Sequence, residues 1–364
     1  MLPKKNNQEK DITFPNAPAD GISSLAVNGD LTKPSTMLVA GCWDNSLYMY
    51  ELQYNQGNIS NIVKHHQLQH EAPVLCADIA ADGMTTFSAG CDGSVRMWNA
   101  TQPTTSAQII GKHDQPIRCL KFMPDVNLVA TGSWDKTVRL WDCRSPTAAA
   151  VLSFNERVYA MDAKQQAIVV GTADKMISVY QLQSKVAEFK SSLSYQTRCI
   201  SIFADNQGFA MGSIEGRVAL EYYSEMSNKM AMQQRPGPAT KPANAKSFVF
   251  KFHRDGNDVY CVNAIDFHRN NTFCTAGSDG VFAFWDKDVR HRLSIFEAHK
   301  LRCPITAFKF SPMGNMCFYA LSYDWSKGAE HNNASLGNNI VLHPVLDSEV
   351  APKSPTAATT GLRR

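Results

Sequence analysis

An all-β chain closed into a seven-bladed β-propeller is the fold that this sequence predicts, and three observations predict it. A motif made of a small residue, a Ser or Cys, an acidic residue and a short alternating run ending in an aromatic recurs seven times. Successive copies follow one another near the roughly 40–50-residue period of a four-stranded blade, with one longer gap. Turns followed by period-two apolar runs lie upstream of the copies, and no helix-period stretch of useful length interrupts them.

In chain order the copies read GCWDNSLYMY from Gly41, GCDGSVRMWN from Gly90 and GSWDKTVRLWD from Gly132. GTADKMISVY from Gly171 and GSIEGRVALEY from Gly212 are weaker, GSDGVFAFWD from Gly277 restores the pattern, and LSYDW from Leu321 is a degenerate seventh. Upstream, His70, His113, Tyr260 and Cys303 each open a turn that leads into an alternating run such as LCADIA, RCLKF, NAIDF or TAFKF. Each repeat thus supplies a strand, a turn, a second strand, the acidic turn and a third strand. A ring of seven open blades would leave unpaired edges. The run from Asp11 to Pro15 is therefore assigned as the outer strand of the last blade, beside a late strand from Asn339 to Val345. The domain layout follows: a flexible tail over 1–10, the propeller over 11–350 with an insertion at about 224–247, and a flexible tail over 351–364.

Composition bounds the function. The 364 residues carry 36 Lys+Arg against 33 Asp+Glu, a net charge of +3, with 44% hydrophobic residues. That composition excludes a largely disordered chain, and a polyanion would have to meet locally concentrated charge. No apolar run reaches membrane-spanning length, and the start of the chain lacks the apolar core of a secretory signal. The 10 cysteines show no C-x-x-C pair, which argues against a zinc or dithiol site and for buried thiols in a reducing compartment.

Copies of this kind resemble WD-repeat proteins over nearly the whole chain. In the third blade the resemblance implies a bonded structural group of His113, Ser133, Asp135 and Trp141, with Asp135 holding the turn and accepting from His113. Recurrence from blade to blade marks this His/Ser/Asp set as a fold device and not a catalytic triad. The fourth blade places Tyr180, and the fifth Glu221, where the motif has Trp, so those blades are expected to close by packing. Asp205, in a connecting loop, is expected to matter little to stability.

Three basic and aromatic patches follow the insertion: Phe248 to Arg254, Trp285 to Arg292 and Lys300 to Arg302. The second places Lys287, Arg290, His291 and Arg292 on the loop leaving a blade whose core includes Trp285. Such patches fit either a solvated basic loop or a groove for single-stranded nucleic acid, where phosphates and base faces are both available. The insertion itself, with Lys229, Arg235, Lys241 and Lys246 among prolines, reads as a surface loop.

A narrower resemblance rests on GSIEGRVA from Gly212, FKFHR from Phe250, VNAIDFH from Val262 and GSDG from Gly277. These are similar to a branch of WD-repeat proteins holding the messenger-RNA export factors of the nuclear pore and their sister family, the mitotic checkpoint adaptors that bind kinetochore kinases. FWDKDVR from Phe284, SYDWSKG from Ser322, the long first-blade connection from Glu51 to His70 and the N-terminal extension resemble the export factors. ERVYAMD from Glu156 and the Lys353-Ser354-Pro355 segment lean toward the sister family, which stands as the alternative. The resemblance implies a non-enzymatic adaptor without cofactor or metal, a propeller that joins a heteromeric complex as a monomer. It implies a nucleoporin GLEBS-type peptide, from an FG-repeat nucleoporin, docked over the face that carries Arg217. It also implies a side groove for single-stranded RNA lined by Phe250, Lys251, Trp285, Lys287, Arg290 and Arg292, an export receptor as a further partner, and residence in the nucleus, at the nuclear envelope and pore, and in the cytoplasm. Arg292 stands where the family pattern has Lys, which preserves the charge.

Overall fold

The computed structural model describes residues 11–28, 35–55, 58–80, 82–100, 107–145, 147–226, 230, 246–298, 303–332 and 337–353. Within them the chain forms seven four-stranded antiparallel sheets, the seven blades, plus one two-stranded hairpin. A short strand β1 (Ile12–Thr13) comes first. Blade one is β2 (Ile22–Asn28), β3 (Ser35–Cys42), β4 (Ser46–Asn55) and β5 (Asn58–Gln69). Blade two is β6 (Val74–Ile79), β7 (Thr85–Gly90), β8 (Ser94–Asn99) and β9 (Gln108–Lys112). Blade three is β10 (Ile117–Met123), β11 (Leu128–Ser133), β12 (Thr137–Asp142) and β13 (Ala148–Ser153). Blade four is β14 (Val158–Lys164), β15 (Ala167–Thr172), β16 (Met176–Gln181) and β17 (Ser184–Lys190). Blade five is β18 (Thr197–Ile202), β19 (Gly208–Ser213), β20 (Arg217–Tyr222) and β21 (Phe248–Lys251). The hairpin β22 (Arg254–Asp255) and β23 (Asp258–Val259) leads into blade six, which is β24 (Val262–Phe267), β25 (Thr272–Gly277), β26 (Val281–Asp286) and β27 (His291–Glu297). Blade seven is β28 (Ile305–Phe310), β29 (Met316–Leu321) and β30 (Asn339–Pro344), with β1 as its outer strand. The first strands of successive blades pack side by side, and β28 meets β2, so the ring closes.

The repeated sequence acts through two local devices. Between the second and third strand of every blade an acidic residue is followed by one with positive φ: Asn45, Gly93, Lys136, Lys175, Gly216, Gly280 and Trp325. In six blades the acidic side chain accepts the amide two residues on, as in Ser46 N–H to Asp44 and Thr137 N–H to Asp135. This local bond is what a short acidic side chain contributes to a tight turn. The second device is a register shift near the start of each inner strand, between residues such as Ile117 and Cys119 or Thr197 and Cys199. A bulge re-aims one side chain, and here all seven skipped residues line the central cavity.

Closure of the ring is built on the N-terminal strand. Ile12 and Thr13 pair with Leu342 and Val341, and Phe14 donates its amide to the Ile340 carbonyl at 2.8 Å. The Phe14 ring is buried against Tyr50 of blade one and Phe318 of blade seven. Asp11 receives the Tyr319 hydroxyl at 2.6 Å and sits 2.6 Å from His343 Nδ1. A short helix α1 (Asp347–Val350) follows β30, and its buried Glu349 lies 3.6 Å from the other His343 nitrogen.

Several expectations change. The Glu51 to His70 segment is not a connection but most of the β4–β5 hairpin, paired from Ser46–Gln69 out to Asn55–Asn58. In blade three the hub of the buried group is Thr131 and not Ser133. His113 Nδ1 lies 2.8 Å from Asp135, His113 Nε2 lies 2.7 Å from Thr131 Oγ1, and the Trp141 indole donates to that same oxygen at 2.7 Å. Ser133 instead donates toward the Gln115 and Pro116 carbonyls and accepts the Asp135 amide. Only the residue opposite Arg139 on β11 points between ring and indole; Ser133, two residues further on, faces the turn. The same hub is Ser88 in blade two and Thr275 in blade six. In blade four Tyr180 packs edge-on against Phe154, and in blade five the buried Glu221 accepts the Ser192 hydroxyl at 2.6 Å. Not all acidic residues lie in turns. Asp78, Asp162 and Asp266, inside inner strands, accept the amides of Phe122, Ile202 and Phe310 and so tie blade to blade.

At the base of the insertion Glu225 accepts the amides of Lys246 and Ser247, which brings its two ends together. Most of the insertion, the Lys300 to Arg302 patch, residues 1–10 and residues 354–364 lie outside the described residues. All ten cysteines are free thiols. Among the described residues no helix is long and apolar enough to cross a membrane.

Candidate peptide face and nucleic-acid groove

The inner-strand bulges set Ser23, Leu75, Arg118, Tyr159, Arg198, Asn263 and Thr306 around the central cavity. These residues stand at the starts of the inner strands, beside the acidic turns. Backbone bonds such as Trp134 N–H to Pro116 and Ile214 N–H to Gln196 tie each turn to the neighbouring strand entry. The same end of the ring therefore displays the turn residues, and several are large and apolar: Trp43, Tyr195, Ile214 and Trp325 are exposed. Arg118 and Arg198 form no ion pair with a carboxylate among the described residues. Burial, followed by the like charge of Arg118, pulls the Arg198 guanidinium below its usual range. Arg217, at the start of β20, pairs with Glu215 at 3.2 Å and stays about one third exposed. An end face with aromatic rings at its rim and two unpaired guanidiniums, Arg118 and Arg198, at its centre suits a segment carrying carboxylates among apolar anchors. The sequence reading named Arg217 there. It did not find Arg118 and Arg198, whose signal is the bulge position shared by all seven repeats.

The second surface lies between blades five and six. Phe250 and Lys251 come from β21, the outer strand of blade five, where the β20 pairing sets Phe250 opposite Val218 and Lys251 opposite Arg217. Trp285, on β26, is held by its N–H bond to Thr275 and lies with its ring 4.7 Å from Phe250 and 4.8 Å from Phe252. Arg290 occupies the turn with positive φ, stacks its guanidinium 4.6 Å above the Phe248 ring and donates to the Lys246 carbonyl. Phe248, Phe250, Lys251, Phe273, Trp285, Asp286 and Arg290 together line a cavity of about 280 Å³. Arg292 lies on β27 opposite Trp285, with its guanidinium 5.8 Å from the Phe252 ring.

Lys287 does something different from its neighbours. Its side chain is 3% exposed, its ammonium sits 3.2 Å from Asp205 and 2.8 Å from Asp288, and it lies over the Phe203 and Tyr222 rings. Burial opposes that charge, but the hydrogen bond to Asp288 and the nearby carboxylates outweigh it and hold the ammonium above the usual lysine range. The groove thus assembles Phe250, Lys251, Trp285 and Arg290, flanks them with Arg292, and turns Lys287 inward as a brace between blades five and six. Asp205, which also accepts from Asn271, is the other half of that brace and not an idle loop residue.

The seven-bladed ring with its acidic turns and the buried histidine–hydroxyl–tryptophan groups of blades two, three and six defines a WD-repeat propeller. The family model described as WD domain, G-beta repeat matches residues 62–99, 104–142 and 245–286. Among solved structures, the crystal structure of RRP9 WD40 repeats covers 93% of this chain and 98% of its own, with a TM-score of 0.69 at 15% identity, a likeness of fold alone. Within that class the chain belongs to the messenger-RNA export factor family. It is 42% identical to Protein RAE1 of Arabidopsis thaliana, over 97% of this chain and 96% of that protein. It is 39% identical to mRNA export factor GLE2 of Chaetomium thermophilum, over 95% and 93%, and 39% identical to the mRNA export factor of Danio rerio, over 96% and 93%. These names carry export, and they lend no support to the checkpoint alternative.

Proposed function

We propose that this protein is a non-enzymatic adaptor in messenger-RNA export that works at the nuclear pore, with one end of its ring holding a nucleoporin and the groove between blades five and six holding RNA. The observation that carries the reading is the aromatic end face at whose centre Arg118 and Arg198 line the channel without a carboxylate partner, with Arg217 beside it. An extended GLEBS-type segment of an FG-repeat nucleoporin would lay acidic side chains on those arginines and apolar ones on Ile214 and Trp325. Membership of the export factor family supports the same role, with an export receptor as a further partner and residence in the nucleus, at the pore and in the cytoplasm. The groove's rings and cations support sequence-tolerant contact with single-stranded RNA. Titration calorimetry with a GLEBS-type peptide tests the adaptor role: saturable binding that weakens when Arg118 and Arg198 are both changed to Ala is the expected result. An unchanged affinity in that double variant would remove the end face from the reading.

A further inference from the structure

The central cavity carries its uncommitted polar groups at one level. The bulges of three successive blades place Arg118, Tyr159 and Arg198 side by side on its wall, all half-buried. Among the described residues neither guanidinium nor the Tyr159 hydroxyl has a hydrogen-bond or ion-pair partner. On the far wall, in blade seven, the Thr306 hydroxyl is buried and equally unpartnered. The other polar bulge residues are spent. Ser23 donates to the Val74 carbonyl, and Asn263 gives its amide to Ser278, Asp324 and the Ile305 carbonyl. Asp324, whose field reaches Arg198, is itself bonded to Asn263, Ser278 and Ser326. Next along the inner strands come the thiols of Cys76, Cys119 and Cys199, which burial keeps protonated. Deeper still, the Lys121 and Lys309 ammonium groups are taken by Asp78 at 3.6 Å and Asp266 at 2.7 Å, and Asp162 adds a carboxylate. Free positive charge in the cavity is therefore confined to the level of Arg118 and Arg198.

Two like charges brought together at a half-buried wall repel, and nothing bonded inside the chain offsets that cost. An anion between them would. A guanidinium presents a planar fork of N–H donors that matches the oxygens of carboxylate and phosphate. A carboxylate offers two oxygens and a single charge. A phosphate group offers at least three oxygens and nearly two charges, so it can engage both guanidiniums and the phenol at once. We infer that the channel mouth is a site for one phosphate group, held by the Arg118 and Arg198 forks and by the Tyr159 hydroxyl, with the Thr306 hydroxyl as a donor on the far wall. The cavity, about 160 Å³, has room for such a group. The acidic pairs deeper in the channel keep it at the mouth. This site goes beyond the peptide reading, in which the same arginines take carboxylates, and it needs no peptide to fill it. The shared chemistry is a phosphate group, either free or carried on a serine side chain entering from the end face.

The test titrates the full-length protein with inorganic phosphate by calorimetry, in chloride buffer at constant ionic strength. Saturable binding is expected, with a higher melting temperature in phosphate than in chloride. Changing Arg118 and Arg198 together to Ala should weaken phosphate by about a hundredfold, roughly tenfold for each lost guanidinium. In chloride that double variant should melt no earlier than the unaltered protein, because neither side chain makes a bond inside it. Should it melt early, Arg118→Lys with Arg198→Lys, which keeps the charge and loses the forks, decides instead: phosphate should weaken about tenfold, and an unchanged affinity overturns the site. A phosphoserine blocked at both ends separates the two sources. Affinity equal to or below that of inorganic phosphate assigns the free anion, and tighter binding assigns a phosphorylated segment. No saturable binding of either probe, or binding that survives in the double Ala variant, overturns the site. The peptide titration is run in chloride alone, so a protein that binds the GLEBS-type peptide and no phosphate overturns this site and leaves the peptide reading in place.

Discussion

Arg217 and Lys251 stand directly opposite each other across the β20–β21 pair. Residues so paired project from the same face of the sheet with their Cβ atoms about 5 Å apart, and like charges there repel. Glu215 offsets one of the two through its 3.2 Å contact with Arg217. The proposed peptide face and the proposed RNA groove therefore meet on one antiparallel strand pair.

Arg217→Glu should act on both ligands. Placing a carboxylate opposite Lys251 gives that lysine a partner inside the protein. GLEBS-type peptide affinity is expected to fall by about 2 kcal/mol, if the partner of Arg217 is a desolvated acidic side chain. The oligonucleotide salt slope should become shallower by about 0.7, the share of one phosphate contact. Calorimetry and anisotropy on the same variant check the two effects, and a change in the peptide alone would mean that Lys251 does not touch RNA.

Changing Arg290 and Arg292 to Ala should flatten the salt slope by about 1.4, two contacts' worth. Adding Lys287→Ala should change the slope little and lower stability by about 1–3 kcal/mol. Breaking a buried pair leaves a carboxylate without its cation, and the partial exposure of Asp205 tempers that cost. Asp205→Ala should destabilise by a similar amount. Denaturant midpoints beside the salt series separate the two roles, and a steep slope change in Lys287→Ala alone would return that residue to the RNA surface.

The ring was legible in the sequence because its signals are local. The acidic turn, its positive-φ successor and the period-two runs lie within a dozen residues, and seven copies leave little freedom. The pairing of Ile12–Thr13 with blade seven also followed from counting strands. What stayed hidden depends on side-chain direction or on distant partners. Thr131 and Ser133 lie two residues apart on one strand, and only packing against Trp141 says which one bonds the indole. Lys287 and Arg290 look alike in a basic run, but Asp205, far away in the chain, draws one of them inward. Arg118 and Arg198 are ordinary in sequence until the bulges aim them at the channel.

Thr131→Val keeps the shape of the blade-three hub while removing its oxygen. Trp141 then loses its acceptor and His113 Nε2 its partner, at a cost of about 1–3 kcal/mol. Asp135→Ala should cost a comparable amount. Because both changes disrupt one network, the double variant should lose less than the sum. Urea unfolding of the four proteins in the cycle measures this, and simple additivity would show that His113 does not couple Thr131 to Asp135.

Stability should also depend on His343, through the contact that locks both chain ends. Asp11 lies on the N-terminal side of β1, His343 on β30 and Glu349 on α1, so one imidazole joins three segments. Burial works against its charge, but the hydrogen bond to Asp11 and the Glu349 carboxylate 3.6 Å away prevail and raise it from 6.5 to about 8. A group raised on folding contributes fully below its unfolded value and loses that contribution as pH climbs through the folded one. The lock should therefore be at full strength below about pH 6.5 and fade between there and about pH 8, by about 2 kcal/mol. Thermal unfolding measured at steps across that window should show the decline, and His343→Gln should abolish it. Amide exchange should place the loosening at Phe14, whose N–H bonds the Ile340 carbonyl. A melting temperature that holds level across the window in the unaltered protein would mean that His343 is neutral in the lock.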